Sequence, residues 1–315
     1  MSRVVLTGGA GFIGSHLARR LLDRGDEVVV LDNLVSGRIE NLHDLVGRAG
    51  FEFGEVDVSR GIVVDGPVDG VMHLASPASP PEYLALPLET LDAGSLGTRN
   101  ALELAREHGA RFLLASTSEI YGDPLVHPQP EDYRGNVDPL GPRAVYDEAK
   151  RFAETLTITF HRLYGVSTAI LRIFNTYGPN LRPGDGRVVS NFLVQAIDGL
   201  PLTVYGDGTQ SRSYCYVDDQ VRGILAFFDS DFVGPVNIGN TDEYTVLELA
   251  HMVLDVTGSR SEIVFEDLPV DDPVRRCPDV RRARELFGWT PEVTLRDGLG
   301  RTHAWYLQER ARGDA

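Results

Sequence analysis

Two residues with the right types and spacing for proton transfer lie in the stretch "YDEAK". Tyr146 and Lys150 stand four positions apart near the start of a helical pattern, so both side chains project from one helix face. A tyrosine with its ordinary pKa of about 10 is a poor base at neutral pH. A nearby ammonium group favours the phenolate, which makes Tyr146 a candidate base for a hydroxyl proton. On its own, the same spacing also occurs in ordinary surface pairs.

A second candidate stretch is "ASTSEIYGD", residues 115–123, where an apolar strand ends in polar side chains. Thr117, Ser118 and Glu119 follow one another at the point where a buried strand should stop. They could cap a following turn, since hydroxyl groups bond readily to nearby backbone. They could instead line a reaction site at the strand end. These residues alone leave both interpretations open.

The elements around these stretches predict a parallel sheet. Apolar runs at 3–6, 27–31, 51–58, 70–76, 111–117 and 167–174 are typical of strands buried on both faces. Helical patterns that end near a glycine separate several of them, notably in "GFIGSHLARRLLDRG", "LETLDAGSLGTRNALELAREHG" and "YDEAKRFAETLTITFHRLYG". Strands alternating with helices indicate βαβ units with right-handed crossovers.

We therefore expect an α/β fold with a Rossmann-type doubly wound parallel sheet and a smaller mixed α/β substrate-binding lobe. The first domain is predicted over residues 1–175. Residues 176–315, where the strand and helix pattern becomes irregular, are expected to form most of the smaller lobe, with some segments interleaved with the first domain.

A glycine-rich turn between the first strand and the first helix predicts a dinucleotide site. Gly8, Gly11 and Gly14 are spaced three apart in "TGGAGFIG". In this context the first allows the tight turn, the second lets the backbone approach a pyrophosphate, and the third lets helix pack on strand. The helix N-terminus then offers free N–H groups to the anion.

An acid at the tip of the second strand selects the form of the cofactor. Asp32 can accept hydrogen bonds from both ribose hydroxyls of adenosine and would repel a 2′-phosphate, so NAD is expected rather than NADP. Arg38, in "NLVSGR", could instead bind such a phosphate, which leaves NADP as the minor alternative. Asp57, at the end of the third strand, is either a cap for the adenine amino group or a surface acid. A bound, positively charged nicotinamide ring would further favour the Tyr146 phenolate.

Composition excludes several other classes of function. The 315-residue chain has a formal net charge of −16, which argues against nucleic acid as a partner. No apolar run approaches the ~20 residues that span a membrane. Two cysteines, Cys215 and Cys277, are too few for a disulfide framework, so a cytoplasmic location is expected. The eight histidines show no metal-ligand spacing, and His73 is interpreted as a structural strand-end residue.

Several stretches together resemble the extended short-chain dehydrogenase/reductases, and within them the UDP-glucuronate decarboxylases, also called UDP-xylose synthases. They are TGGAGFIG, "HLASPASPPEY" (73–83), the block from 116 to 156, "RIFNTYGP" (172–179), "DGRVVSNF" (185–192), "LTVYGDGTQSRSYCYVDD" (202–219) and "DDPVRRCPD" (271–279). The resemblance implies Thr117 near the sugar 4-hydroxyl, and Ser118 and Glu119 beside the C5 carboxylate. With Tyr146 and Lys150 these form the expected catalytic set.

The resemblance also implies a cofactor set and a substrate set. The cofactor residues are Gly8, Gly11, Phe12, Ile13, Gly14, Asp32, Asn33, Ser36, Gly37, Asp57, Val58, Leu74, Ala75, Ser76, Tyr146, Lys150 and Thr176. The substrate residues are Tyr83, Thr117, Asn175, Arg187, Val188, Tyr205, Gln210, Arg212 and Arg276. Arginine is expected at the diphosphate because its planar fork pairs with phosphate oxygens, with Arg212 and Arg276 as the first candidates.

The implied substrate is UDP-glucuronate. Oxidation of C4 to a ketone makes the sugar a β-keto acid that can lose CO2, and re-reduction gives UDP-xylose. A 4-epimerase, an enzyme that stops at the 4-keto pentose, and an NAD-binding sensor without turnover stay open as alternatives. The resemblance also implies a homodimer packed through the helices around 90–107 and 147–164.

Three positions depart from the family pattern. Asp92 and Gly94 stand where a lysine and an asparagine are expected, and Ala149 stands where glycine is usual. The lost lysine reverses a charge expected near cofactor and substrate, which bears on affinity, NAD retention and substrate identity. Alanine at 149 should suit a helix.

Overall fold

The structure, a computed structural model, describes residues 1–268 and 275–312. In chain order their strands are β1 (Arg3–Thr7), β2 (Glu27–Asp32), β3 (Phe51–Glu55), β4 (Gly70–His73), β5 (Arg111–Thr117), β6 (Thr168–Ile173), β7 (Thr176–Tyr177), β8 (Leu202–Tyr205), β9 (Ser211–Ser213), β10 (Cys215–Tyr216), β11 (Pro235–Ile238), β12 (Glu243–Thr245), β13 (Ile263–Glu266) and β14 (Arg275–Arg276). Part of the matched "DDPVRRCPD" block, residues 271–274, lies outside the described residues.

The α-helices of the same residues are α1 (Phe12–Asp23), α2 (Pro80–Ala85), α3 (Pro87–Asp92), α4 (Thr98–His108), α5 (Ala144–Tyr164), α6 (Val188–Asp198), α7 (Val217–Phe228), α8 (Val246–Thr257), α9 (Arg281–Phe287) and α10 (Leu295–Arg312). Short 3-10 turns cover Ile39–Leu42 and Ser118–Tyr121. Within the described ranges, no helix combines the length and the apolar character that a bilayer crossing requires.

Seven strands form the central sheet in the order β11-β6-β5-β4-β1-β2-β3, all parallel. This is the doubly wound sheet that the alternating pattern predicts. The order reverses between β1 and β4, where ligands bind at the carboxyl ends of the strands in such sheets. The edge strand β11 comes from the second half of the chain and pairs with β6.

The sheet is covered on both faces, as its continuous apolar strands predict. Side chains of β1 alternate: Val4 and Leu6 pack in one core with Leu17 of α1, while Val5 packs in the other with Leu102 of α4. All five are inaccessible to solvent. Each such side chain contributes roughly 1.5–3 kcal/mol of burial free energy.

Residues 176–276 also contribute strands to three short sheets, β10-β7, β12-β9-β14 and β13-β8. Strand β9 lies between antiparallel β12 and parallel β14, which places Arg212 opposite Arg276. Helices α6, α8 and α10 carry part of the apolar core on this side.

One predicted helix is divided in two. The sequence pattern predicts a single helical segment from Leu88 to Gly109, but a π-helical turn, Ala93–Gly97, separates α3 from α4. Both glycines of this turn are buried. Such turns are uncommon and occur often at functional sites.

His73 connects the ends of β1 and β4. Its Nδ1 lies 2.7 Å from the Thr7 hydroxyl, and its ring also hydrogen-bonds the Ala93 backbone. Burial, with a smaller effect of Lys150, lowers the pKa of His73 to about 3. These contacts agree with the structural role predicted for this histidine.

We expect acid to destabilise the protein through His73. An unfolded histidine binds a proton below its ordinary pKa of about 6.5, whereas the folded one stays neutral until about pH 3. Stability from this group is therefore complete above pH 6.5 and lost as the pH falls, by about 2 kcal/mol at pH 5. Urea unfolding at pH 7.5 and 5 should show this extra loss in the wild type and not in His73→Gln. An equal loss in both proteins would refute the assignment.

Candidate active site

A cavity of about 680 Å³ opens at the carboxyl ends of β1, β2, β4, β5 and β6. All five predicted catalytic residues line it, from Thr117 at the end of β5 to Lys150 in α5. Every residue of the predicted cofactor set lines it too, as do Asn175 and Arg187 from the substrate set. The fold therefore brings together stretches that lie far apart in the sequence.

The glycines at one end of the cavity leave room for backbone and ligand alone. Gly8 has a φ of +73°, and a Cβ there would lie 2.6 Å from the Ala75 nitrogen. A Cβ on Gly14 would lie 2.3 Å from the Gly8 carbonyl oxygen. Strand, turn and helix thus meet at distances that only glycine permits. This is the geometry that a pyrophosphate cradle needs.

Asp32 closes the same end of the cavity. Its carboxylate accepts hydrogen bonds from the backbone N–H groups of Ala10 and Leu34, both at 2.9 Å. Burial raises the pKa of Asp32, while these two hydrogen bonds lower it. Arg38 also lines the cavity, and its Nε lies 3.6 Å from Glu40. Asp57 lines it as well, with one carboxylate oxygen accepting from the backbone and the hydroxyl of Ser59.

Helix α5 and strand β5 meet along a polar seam that positions the reacting groups. Lys150 Nζ donates to the Ala115 carbonyl at 2.9 Å. One turn further along, Glu154 accepts from the Ser116 hydroxyl at 2.6 Å and from both Arg172 Nε and Nη2 at 2.9 and 2.8 Å. The end of β5, with Thr117, is thereby fixed against the helix that carries Tyr146.

The ionisation of Tyr146 depends on more than its helical neighbour. Burial, with Glu119, raises the pKa of Tyr146 well above its ordinary value. Arg187 and a hydrogen bond with Thr117 act in the opposite direction. Lys150 Nζ lies 5.7 Å from the centre of the Tyr146 ring, and burial lowers the pKa of Lys150 to about 8. Arg187 is therefore one cation that favours the phenolate, and the same effect of Lys150 stays a prediction.

Glu119 lies between two guanidinium groups. Its carboxylate accepts from Arg143 Nη2 at 2.6 Å and from Arg276 Nη1. Burial alone would raise the pKa of Glu119, but Arg276 and Arg143 outweigh it and hold the pKa below its usual range. Glu119 is therefore a carboxylate with its charge compensated inside the protein.

Six residues of the predicted substrate set do not line the large cavity: Tyr83, Val188, Tyr205, Gln210, Arg212 and Arg276. Tyr83 stacks on Tyr146 with ring centres 5.1 Å apart. Arg276 donates hydrogen bonds to Glu119 and to the Gly122 carbonyl, so its guanidinium binds the segment that follows β5. Tyr205 is exposed, and its carbonyl accepts from the Gln210 amide.

Three further residues of this region, Arg143, Asp147 and Glu154, are not predicted from the sequence. Arg143 lies one turn before Tyr146, and its pairing with Glu119 spans 24 positions. Glu154 repeats the four-residue spacing of Tyr146 and Lys150 along α5, and this spacing is the sequence pattern from which its position on the same helix face can be predicted. Among residues 1–268 and 275–312, no group of three or more His, Cys, Asp or Glu side chains is arranged to hold a metal ion.

Two of the departures from the family pattern meet in space. A Cβ on Gly94 would lie 2.8 Å from Ala149 Cβ and 2.9 Å from the Ala149 carbonyl oxygen. The missing side chain at 94 therefore makes room for the additional methyl group at 149. Asp92, the third departure, is exposed and lines the cavity, so its charge faces the ligand space.

We predict that Gly94→Asn is destabilising, by about 1–3 kcal/mol, because it overpacks this contact. Ala149→Gly alone should cost about 1 kcal/mol in the helix. The double variant should be more stable than the sum of the two losses predicts, since removing the methyl group relieves the part of the clash that involves Ala149 Cβ. Urea unfolding of the three variants checks this, with Asp92→Asn, at an exposed position two residues earlier, as the matched control. Strictly additive losses would contradict the steric coupling.

Comparison with known families gives one match over most of the chain. Residues 4–239 match the NAD dependent epimerase/dehydratase family. Among curated proteins, UDP-glucuronic acid decarboxylase 1 of Arabidopsis thaliana is 52% identical over 299 residues, which cover 95% of this chain and 68% of that protein. UDP-glucuronic acid decarboxylase 1 of Danio rerio is 49% identical over 307 residues, covering 98% and 73%.

Solved structures with the same fold include enzymes of related chemistry. A UDP-glucuronic acid 4-epimerase of Bacillus cereus, in complex with UDP-4-deoxy-4-fluoro-glucuronic acid and NAD, aligns with a TM-score of 0.86 at 28% identity, over 97% of this chain and 99% of that one. A dTDP-glucose 4,6-dehydratase of Streptomyces venezuelae with NAD bound aligns with a TM-score of 0.88 at 30% identity, over 98% of both chains.

Proposed function

Because this chain belongs to the NAD dependent epimerase/dehydratase family, we propose that it converts UDP-glucuronate to UDP-xylose and CO2 with NAD as the bound cofactor. The observation that carries the proposal is a sequence identity of 49–52% with UDP-glucuronic acid decarboxylases, over 95–98% of this chain. Similarity to 4-epimerases and 4,6-dehydratases is lower, near 30%, and reflects the shared family.

The residues at the glycine end of the cavity fit NAD. A Cβ at Gly8 or Gly14 would collide with backbone, so the turn is shaped for a close anion. Asp32 lines the cavity at the tip of β2, as required to accept from the adenosine ribose. When bound, NAD supplies reversible hydride transfer at the sugar C4.

Tyr146 is the proposed base for the 4-hydroxyl proton. Its phenol lies at the inner wall of the cavity beside Thr117, and Arg187 opposes the effect of burial on its ionisation. Lys150, anchored on the Ala115 carbonyl, fixes a cation 5.7 Å from the phenol ring. Tyr146 itself is 6% exposed, so the proton acceptor is shielded from bulk water.

Glu119 and its two arginines form the proposed acid end of the site. A sugar carboxylate entering beside Ser118 and Glu119 would lie near the guanidinium groups of Arg276 and Arg143, which already pair with Glu119. Once C4 is a ketone, loss of CO2 leaves an enolate whose oxygen lies near Thr117 and Tyr146. Their hydroxyl groups would stabilise that charge as hydrogen-bond donors.

Identification of the product tests the proposed function. Protein, NAD⁺ and UDP-glucuronate should yield a UDP-pentose and one CO2, measured by mass spectrometry, NMR and gas release. UDP-galacturonate formed without CO2 would identify a 4-epimerase instead. Binding of NAD without any product would indicate a sensor, and a released 4-keto pentose would indicate arrest before re-reduction.

Tyr146→Phe should reduce turnover by at least about 100-fold, because general-base catalysis contributes roughly 10² to 10⁴. NAD binding should persist, since the glycine turn and Asp32 are untouched. Product formation and protein-bound NAD are the two readouts. Tyr133→Phe, on a partly buried tyrosine that does not line the large cavity, is the control and should keep its activity. Undiminished turnover in Tyr146→Phe would contradict the assigned role.

A homodimer through the helices around residues 90–107 and 147–164 is also proposed. Exposed apolar side chains support it: Leu91 and Leu96 lie in the first region, and Phe152 and Leu163 in the second. Groups of such side chains on a surface commonly mark interaction sites. A cytoplasmic location stays a prediction from the cysteine content.

Light scattering during size-exclusion chromatography tests the dimer. The molar mass of the wild type should be twice the chain mass of 34.6 kDa. The molar mass of Phe152→Glu should be lower, towards that of a monomer, because the substitution would bury a charge in the interface. Leu140→Glu, at a 93% exposed position outside both regions, is the matched control. A wild-type monomer, or an unchanged dimer in Phe152→Glu, would contradict this interface.

A further inference from the structure

A second cavity, of about 260 Å³, lies behind Glu119 and is lined by strongly charged side chains. Glu119 is the only described residue that lines both this cavity and the large one. Arg143, Arg276 and Asp147 form part of its wall. Its volume is sufficient for several water molecules.

Asp147 is the unusual member of this wall. The residue is 6% exposed, and its buried Oδ1 has no hydrogen-bond partner among the described residues. Arg276, 3% exposed, likewise has an unpartnered Nε within this part of the chain. A buried carboxylate without hydrogen bonds is costly when charged, so a change in its surroundings shifts its protonation easily.

The charges that act on Asp147 come from four elements. They are Glu119 of the 3-10 turn, Arg143 and Glu148 at the start of α5, Arg276 of β14, and the phenols of Tyr83 in α2 and Tyr146 in α5. Asp123 and Asp138 are exposed members of the same cavity wall. Burial and Glu119 raise the pKa of Asp147 to about 7, against the opposing effects of Arg143 and Arg276.

The formal charges of this cluster explain why a ligand should change it. With both acids ionised, Glu119 and Asp147 balance Arg143 and Arg276. A substrate carboxylate placed beside them adds one buried negative charge. One proton on Asp147 restores the balance between positive and negative charges. Asp147 is the acid that takes it because its buried Oδ1 has no hydrogen bond from the described residues to stabilise a negative charge.

We infer that Asp147 is a positioning residue that takes up one proton when a sugar carboxylate binds, so that the two positive charges of Arg143 and Arg276 are balanced by Glu119 and the sugar carboxylate. The step is COO⁻ plus H⁺ from solvent to COOH on Asp147, with no change in redox state. This inference rests on the proposed function, because it requires an acidic sugar as ligand.

Calorimetry in buffers of different ionisation enthalpy measures the proton uptake. The protein is Tyr146→Phe with NAD bound, in which turnover is slowed. The ligands are UDP-glucuronate and UDP-glucose, which differ only in carrying a carboxylate or a hydroxymethyl group on C5. At pH 7.5 about a quarter of Asp147 is already protonated, so UDP-glucuronate should take up as much as about 0.75 proton more than UDP-glucose. At pH 5.5 the difference should vanish, because Asp147 then carries its proton beforehand.

Asp147→Asn in the same background should abolish the difference at pH 7.5, while Asp138→Asn, on the exposed acid of the same wall, should retain it. Equal uptake for both ligands, or uptake that survives in Asp147→Asn, would overturn the inference while leaving the proposed function intact. UDP-glucose binding without UDP-glucuronate binding would overturn both. If Asp147→Asn fails to bind NAD, the two pH values measured with Tyr146→Phe alone test the inference. A difference in proton uptake between the two ligands that persists at pH 5.5 would exclude Asp147.

Discussion

The buried bond between Lys150 Nζ and the Ala115 carbonyl holds the reaction centre together. It fixes α5 to the carboxyl end of β5, and Glu154 adds hydrogen bonds to Ser116 and Arg172 along the same contact. Thr117 follows Ser116 directly, and Tyr146 precedes Lys150 by one helical turn. The distance between the proposed base and the strand end is therefore set by a small number of hydrogen bonds among buried or partly buried residues, where such bonds are strong and costly to break.

The same burial determines the electrostatics. It raises the pKa of Tyr146 and lowers that of Lys150, which opposes charge on both. The site compensates with charges from elsewhere in the chain: Arg187 acts on Tyr146, and Arg143 and Arg276 act on Glu119. Base and acid ends are thus coupled through Glu119, which raises the pKa of Tyr146 and also that of Asp147.

Local patterns predicted the parts of the site that follow from local geometry. The glycine turn, Asp32 at a strand tip and the four-residue Tyr146–Lys150 spacing depend on the period of one element, and the structure brings them to one cavity. The ion pair of Glu119 with Arg276 joins residues 157 positions apart, and the periodic pattern of a helix or strand cannot predict such a contact. The π-helical turn was missed for a related reason: it depends on the fit of Gly94 against Ala149 on another helix. The family resemblance and the chemistry of arginine predict Arg212 and Arg276 at the diphosphate, but their pairing across β9 and β14 is visible only in the fold.

Decarboxylation by this route requires that C4 is oxidised and then reduced again within one binding event. The decisive measurement is turnover of UDP-glucuronate that carries deuterium at C4, in the presence of excess unlabelled NAD⁺. We expect UDP-xylose with the deuterium retained at C4 and one solvent hydrogen at C5, measured by NMR and mass spectrometry. Deuterium lost to solvent, or found in the free nicotinamide pool in place of the sugar, would contradict it.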